Sequence, residues 1–161
     1  AACRRTATWA LLRTKDSGRK FYYVNTHLDH RGRTAEKNGL NLIVSRIGSI
    51  NPEGFPMVLT GDFNVLPEDS VLDELDKMMH SARATAEVTD STASFNAFGQ
   101  PLKNAAVGDQ FIDLASTDGL ILDYIYYNGF SRCLSFRTVT ESFAGVPYIS
   151  DHYPVTAVLE F

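Results

Sequence analysis

"FPMVLTGDFN", Phe55 to Asn64, decides how this chain is organised. Its first six residues form a short, continuous apolar run, the pattern of a strand covered on both faces. Its last four, Gly61, Asp62, Phe63 and Asn64, break that pattern. Glycine allows tight backbone geometry, and Asp62 and Asn64, two apart, fall on the same side of an extended segment. The same residues are also favoured in turns, so the tail reads either as a plain strand-ending turn or as a place where chemistry emerges.

Upstream, "RRTATWALLRT" (4–14) and "RKFYYVNT" (19–26) are β-rich runs separated by "KDSG", which predicts a hairpin turning at Gly18. The period then changes. Leu40, Ile43, Val44, Ile47 and Ile50 recur at helical spacing from about residue 34, and "NPEG" (51–54) stops the helix. Downstream, a shorter helix is expected after "PEDS" (67–70), with Leu72, Leu75 and Met79 on one side. Residues 81–119 have little apolar periodicity and read as a long irregular excursion, a kind of segment that tends to be functional. "GLILDYIYY" turns at "NGFS" into "RCLSFRTVT", and "HYPVTAVLEF" closes the chain. About six strands and two helices make a mixed α/β (α+β type) domain spanning 1–161, with one largely antiparallel mixed sheet carrying its helices on one face.

The composition sets outer bounds. At 161 residues, with 44% hydrophobic and 21% charged residues, the chain is a globular protein able to bury a core, and no apolar run reaches the roughly 18 residues of a spanning helix. Residues 1–37 hold nine Lys/Arg against three Asp/Glu, and residues 38–161 six against sixteen. An acidic majority argues against coating long nucleic acid, while Arg31 and Arg33 are the best candidates for a local basic edge that meets substrate. Cys3 and Cys133 form neither a disulfide framework nor a zinc spacing and are read as free thiols. The chain starts at Ala1, without a signal-peptide core, so it is expected to be processed or part of a longer protein, and nothing in it assigns a compartment.

Four polar clusters stand at the ends of these strands: "NTHLDH" (25–30), "GDFN" (61–64), Asp123 in "LILDYIYY", and "SDH" (150–152). Strand ends meet along one rim of a sheet, so side chains remote in sequence can converge there. Asp123 sits opposite Leu122 and Tyr124 in strict alternation; a carboxylate in such surroundings is costly to bury unless paired or metal-bound, and otherwise faces water at a sheet edge. Asp151 and His152 precede Pro154 at the entry to the last strand, where a carboxylate such as Asp123 could orient the imidazole. In "NTHLDH", the spacing of His27, Asp29 and His30 permits metal ligands, substrate contacts or strand-ending polar residues. Together the clusters offer hard oxygens, imidazoles and an amide, a set that suits Mg²⁺ or Mn²⁺ and the slow hydrolysis of phosphate esters.

"VNTHLDH", "VLTGDFN", "LDYIYY" and "SDHYPV", in that order, resemble the endonuclease/exonuclease/phosphatase superfamily of DNase I-like and exonuclease III-like enzymes. The resemblance implies a four-layer α/β/β/α sandwich of which this chain supplies about half, and a metal-dependent phosphoesterase acting on nucleic acid, a nucleotide, an inositol phosphate or a phospholipid head group. It further implies that His27 contacts the scissile phosphate, Asp62 activates or orients water and helps bind the metal, and Asn64 holds water or a phosphate oxygen. Asp123 would orient His152, the histidine that stabilises developing charge, and Asp151 would bind the metal. Asn96 in "SFNAFG" stands where the family often has histidine.

An asparagine near the first strand and a "QE"-type metal-binding glutamate, both expected from the family's N-terminal half, are not found in the sequence. Weak metal binding, impaired activity, and two copies packing through an uncovered sheet face are the expectations that follow. The alternatives are a non-catalytic binding domain on the same scaffold and a zinc hydrolase of the metallo-β-lactamase type, whose HxHxDH pattern "NTHLDH" matches except at Asn25.

Overall fold

The computed structural model describes residues 4–100, 104–107, 110–113 and 119–161. The chain opens with the hairpin β1 (Ala7–Arg13) and β2 (Lys20–His27), antiparallel, with Gly18 at φ +70° in the turn. Helix α1 (Arg33–Ile50) then crosses over to β3 (Met57–Asp62), which runs parallel to β2. Parallel neighbours need such a crossover, and the apolar stripe of α1 supplies it by burying Leu40 and Ile43. Its stop is built as the sequence predicts: Asn51 N–H donates to the Ile47 carbonyl, and the Asn51 side chain exchanges two hydrogen bonds with the backbone of Phe55.

After β3 come the single helical turn α2 (Asp73–Asp76), the short strand β4 (His80–Ser81), and a second helical turn, α3 (Ala82–Thr85). A hairpin of β5 (Asn104–Val107) and β6 (Gln110–Asp113) follows, then β7 (Asp123–Asn128), β8 (Arg132–Thr138) and β9 (Val155–Glu160). The main sheet has the order β1-β2-β3-β7-β4, antiparallel except at β2–β3, so β3 is central. Met57, Val58 and Leu59 are all buried, as the continuous apolar run at 55–60 predicts.

Strand alternation divides the core into two. Val24, Met57, Leu59, Tyr124 and Tyr126 face Leu40 and Ile43 of α1 and Leu72 and Leu75 around α2, with Phe63 stacked on Tyr124 at 5.0 Å. Val58, Ile125 and Tyr127 point the other way, onto Cys133 and Phe136 of β8 and Val155, Ala157 and Leu159 of β9. The layers are therefore helices, five-stranded sheet and a two-stranded ribbon.

Several expectations are corrected. The closing hairpin leaves the main sheet and covers its second face at β3 and β7, because Cys133 and Phe136 present apolar groups there; that face is not bare, and the premise for packing two copies through it fails at the centre. The helix after "PEDS" is one turn long although Leu72, Leu75 and Met79 are buried as expected, because His80 and Ser81 pair at once with β7. The 81–119 excursion contains α3, a 3₁₀ turn at Ala97–Gly99 and the β5–β6 hairpin. Asp90 ties part of it down, accepting bonds from Arg83 and from Thr138 of β8. Its remaining stretches, 101–103, 108–109 and 114–118, lie outside the described residues, as does Cys3; Cys133 is a buried free thiol. No helix among the described residues is long and apolar enough to cross a membrane.

Candidate active site

Pairing register builds the site. His27, the last residue of β2, stands beside Asp62, the last of β3, and Asp62 stands beside Asp123, the first of β7. Residues aligned across neighbouring strands project to the same face, so these three side chains form one transverse row. Close backbone packing holds the row. Gly61 precedes Asp62 at φ +153°, and a Cβ there would lie 1.9 Å from the Thr26 carbonyl oxygen. Beyond the row, Leu28 N–H donates to the Asp62 carbonyl and Phe63 N–H to the Leu122 carbonyl, both at 2.9 Å.

His152 joins from the far end of the chain. Its Nδ1 lies 2.6 Å from Asp123 Oδ2; because an ionised carboxylate only accepts, Nδ1 carries the proton and Nε2 faces the row. Nε2 stands 3.8 Å from Asp62 Oδ2, too far for a direct hydrogen bond and near enough for both atoms to share one oxygen above them. His27 Nε2 is 3.3 Å from the same Oδ2. Ligand atoms of Asp62, Asp123 and His152 all lie within 4.8 Å of one another, close enough for the three to share a metal ion. The row floors an open cleft of about 400 Å³ that also includes Tyr23, Asn25 and Thr60.

The electrostatics follow from crowding. Burial and the adjacent Asp123 charge push the Asp62 carboxyl above its ordinary value, against the opposing pull of the Asn64 backbone N–H and the two histidines. For His152, burial favours the neutral ring, but the hydrogen bond and charge of Asp123, with the charges of Asp62 and Asp151, outweigh it and hold the imidazole above its usual range.

The other expected residues divide. Asn64 does not continue an extended segment: at φ +52° it turns the chain, its N–H donates to Asp62 Oδ1 at 2.9 Å and its Nδ2 to the Leu28 carbonyl. The turn reading of "GDFN" therefore holds, and the turn fixes the Asp62 carboxylate. Asp151 lies beside the cluster but outside the triad; its carboxylate accepts from Ser150 and its carbonyl accepts from Asn96 and Ala97 N–H. Arg33 is forked onto Asp69, pinning the start of α1 to the loop before α2, so its charge is taken up there; Arg31 lies against His30 at 3.2 Å. "NTHLDH" splits: His27 faces Asp62, Asp29 is buried, and His30 meets Arg5 at 3.1 Å. Among the described residues its side chains do not gather into a group able to share one metal ion, as the zinc-hydrolase alternative expects.

Ser94 and Phe95 were not singled out by sequence. Ser94 Oγ, fully buried, accepts from Leu122 and Asp123 N–H at 3.0 and 3.1 Å, and Phe95 sets its ring edge-on to His152 at 5.1 Å. They bring the two ends of the His152–Asp123 pair together, and the only signal was their place in "SFNAFG".

Comparison with known proteins gives the same fold. The chain resembles a mannosyl-6-phosphatase from Bacteroides thetaiotaomicron at a TM-score of 0.80 and 23% identity, covering 98% of this chain and 57% of that one. An endonuclease/exonuclease/phosphatase from Bacteroides vulgatus matches at 0.78 and 31% identity over 98% of this chain and 56% of that one. The human Nocturnin catalytic domain matches at 0.59 and 18% identity, over 98% and 60% respectively. The chain thus spans little more than half the length of these structures, with a DNase I-like α/β arrangement. No curated protein matches its sequence significantly. With residues 3–152 matching the sequence pattern of that group, a span that contains every member of the row and its histidine partner, the chain belongs to the endonuclease/exonuclease/phosphatase family.

Proposed function

We propose that this chain carries the water-activating and charge-stabilising groups of a divalent-metal-dependent phosphoester hydrolase. The observation that supports it most is the row His27, Asp62, Asp123 with His152 bonded to its end. The donor set fits Mg²⁺ or Mn²⁺, since hard carboxylate oxygens dominate it and the Asp62 carboxyl, raised by burial and then by the adjacent Asp123 charge, is one whose ionised form a cation would relieve. Asp62 and Asp123 would hold the ion, with His152 left as the proton-bearing group beside it, and Asp151 is the further carboxylate the family resemblance points to. Held there, a divalent ion would supply polarisation of a phosphoryl oxygen and a more acidic water.

Asp62 divides its work between two oxygens. Oδ1 is engaged by Asn64 N–H, and Oδ2, between the two histidines, takes a proton from the attacking water. As the water oxygen bonds to phosphorus and the ester P–O bond breaks, negative charge grows on the phosphoryl oxygens, and the departing alkoxide takes up a proton from solvent in the open cleft. His152, oriented by Asp123 and favoured in its protonated form by the neighbouring carboxylates, donates from Nε2 to that charge when protonated, and His27 contacts the phosphoryl group from the other side of Asp62. Asn64 orients the base through its turn. In this reading residues 1–161 act as one unit of the family fold, and the glutamate that the resemblance expects belongs to an N-terminal half; the structures this chain resembles are longer than it, the chain covering 57% and 56% of them.

The test is hydrolysis of bis-p-nitrophenyl phosphate and p-nitrophenyl phosphate in Mg²⁺, Mn²⁺ or EDTA, with Asp62→Asn and His152→Ala alongside. Metal-dependent turnover lost in both variants supports the reading. Turnover that survives EDTA, or that survives both substitutions, contradicts it; substrate binding without turnover in either metal favours a non-catalytic binding domain.

A further inference from the structure

His152 also lines a separate hollow of about 220 Å³, walled by Phe143, Val146, Tyr148 and Tyr153 and bordered by Asn96, Glu141, Ser142 and Ser150. Large apolar groups gather at its mouth in the open: Phe143 is 72% exposed and Ile149 67%. Two loops make it. Asn96 and Ala97 N–H both donate to the Asp151 carbonyl, at 2.8 and 3.0 Å, joining the 96–99 turn to the "SDH" segment. Gly99 lies so flat on Tyr148 that a Cβ there would come within 2.5 Å of the ring. Ala97, Phe98 and Ala144 adopt φ of +50°, +56° and +50°, costly for residues other than glycine and typical of ligand-holding loops. Asn96 Oδ1 accepts from Phe98 N–H, but its Nδ2 is buried with no hydrogen-bond partner among the described residues.

We propose that this hollow is the subsite for a flat apolar ring carried by the phosphate ester, with Asn96 Nδ2 donating to an oxygen of the ester. The inference rests on the phosphoester hydrolase reading of the adjoining row and narrows its substrate class. The volume suits a ring, since an apolar cavity of about 150 Å³ already accepts benzene. The walls suit it too: Tyr148 and Phe143 offer aromatic faces and edges. Glu141, Ser142 and Ser150 border the hollow, but apolar side chains make most of its wall, so a polyhydroxylated sugar or inositol would bury more hydroxyls against them than an apolar ring, which has none. The idle Asn96 amide, beside the histidine that meets the phosphoryl group, gives the ester a fixed point from which the ring enters the hollow.

The experiment pairs benzyl with ethyl esters, whose alcohols leave with similar ease. Hydrolysis of benzyl and ethyl phosphates, and of their methyl diesters, is measured in Mg²⁺; binding of the non-hydrolysable benzylphosphonate and ethylphosphonate is measured by calorimetry. The benzyl compound is expected to be favoured about tenfold or more in both readouts, the discrimination an apolar pocket gives for added apolar surface. Phe143→Ala, at an exposed position that leaves the core untouched, should bring that ratio down about tenfold, and Asn96→Ala should weaken both phosphonates alike. Tighter binding of benzylphosphonate without hydrolysis of any ester upholds the subsite and sinks the hydrolase reading. Hydrolysis with equal benzyl and ethyl constants does the reverse. A benzyl preference that Phe143→Ala leaves intact, or no binding of either phosphonate, overturns the subsite.

Discussion

Replacing Gly61 by alanine should do more damage than any other single added methyl group in the sheet. The new Cβ would lie 1.9 Å from the Thr26 carbonyl oxygen and 2.9 Å from its carbon, on the neighbouring strand, whereas real Cβ contacts essentially never fall under 3.0 Å. Relief needs an opening of roughly 1.1 Å between β2 and β3, enough to pull the 2.9 Å Leu28–Asp62 backbone bond out of range. Overpacking against rigid backbone costs about 1–3 kcal/mol. A side chain at φ +153° adds about 1–3 kcal/mol more. We therefore expect Gly61→Ala to destabilise by about 4 kcal/mol, read as a lowered urea midpoint at unchanged slope. In buffer where the variant remains folded, phosphodiester turnover should fall about 100-fold, because His27 and Asp62 are set by the same strand spacing. Gly48→Ala is the matched control: nothing lies within 4 Å of its Cβ, and alanine within α1 should stabilise by about 0.5–1 kcal/mol. A Gly61→Ala protein within about 1 kcal/mol of the parent and fully active would refute the claim that close β2–β3 approach builds the row.

Asp123→Asn removes the carboxylate that holds His152 Nδ1, so the His152 pKa should fall toward or below the usual histidine value, read by imidazole NMR in EDTA, with turnover reduced about 100-fold or more. In the parent, the raised pKa of His152 means the pair stabilises the fold below about pH 6.5 and that this contribution fades as pH rises through the folded value. The variant's stability deficit should shrink over that window. Asp69→Asn should cost about 2 kcal/mol at neutral pH, since it removes the charge onto which the Arg33 guanidinium is forked. The hydrogen bond from Arg33 holds the Asp69 carboxyl below its ordinary value, so its stabilisation is complete above about pH 4 and is lost as pH falls through the depressed value; parent and variant urea midpoints should converge there.

How far the sequence carried depended on the range of the interaction. Apolar period located β3 and α1 because burial of Leu59 or Leu40 is recorded at every turn of the pattern. The same logic found Asp62 and Asp123 as polar residues at the ends of apolar strands, and their convergence followed from a shared sheet edge. Register was not legible: that His27, Asp62 and Asp123 align in one row depends on hydrogen bonds between segments about 35 and 61 residues apart. The closing hairpin reads as another strand pair of the main sheet, and only the side-chain fit of Cys133 and Phe136 against Val58 and Tyr127 sends it to the second face. Arg33 reads as a surface cation because its partner Asp69 lies in a loop whose position depends on α1 itself. Ser94 and Phe95 left no periodic trace, since one buried hydroxyl and one ring edge act through a single tertiary contact each.

Manganese is the most direct probe of whether these side chains make one metal-assisted site. Titrated into the isotopically labelled protein, Mn²⁺ should broaden the His152 and His27 imidazole signals first. His80, which pairs with Tyr127 four residues along β7 and so about 13 Å from Asp123, should broaden far less. The selectivity should vanish in Asp62→Asn. Equal broadening of all four histidines, or sharp His27 and His152 signals at millimolar Mn²⁺, would contradict the account.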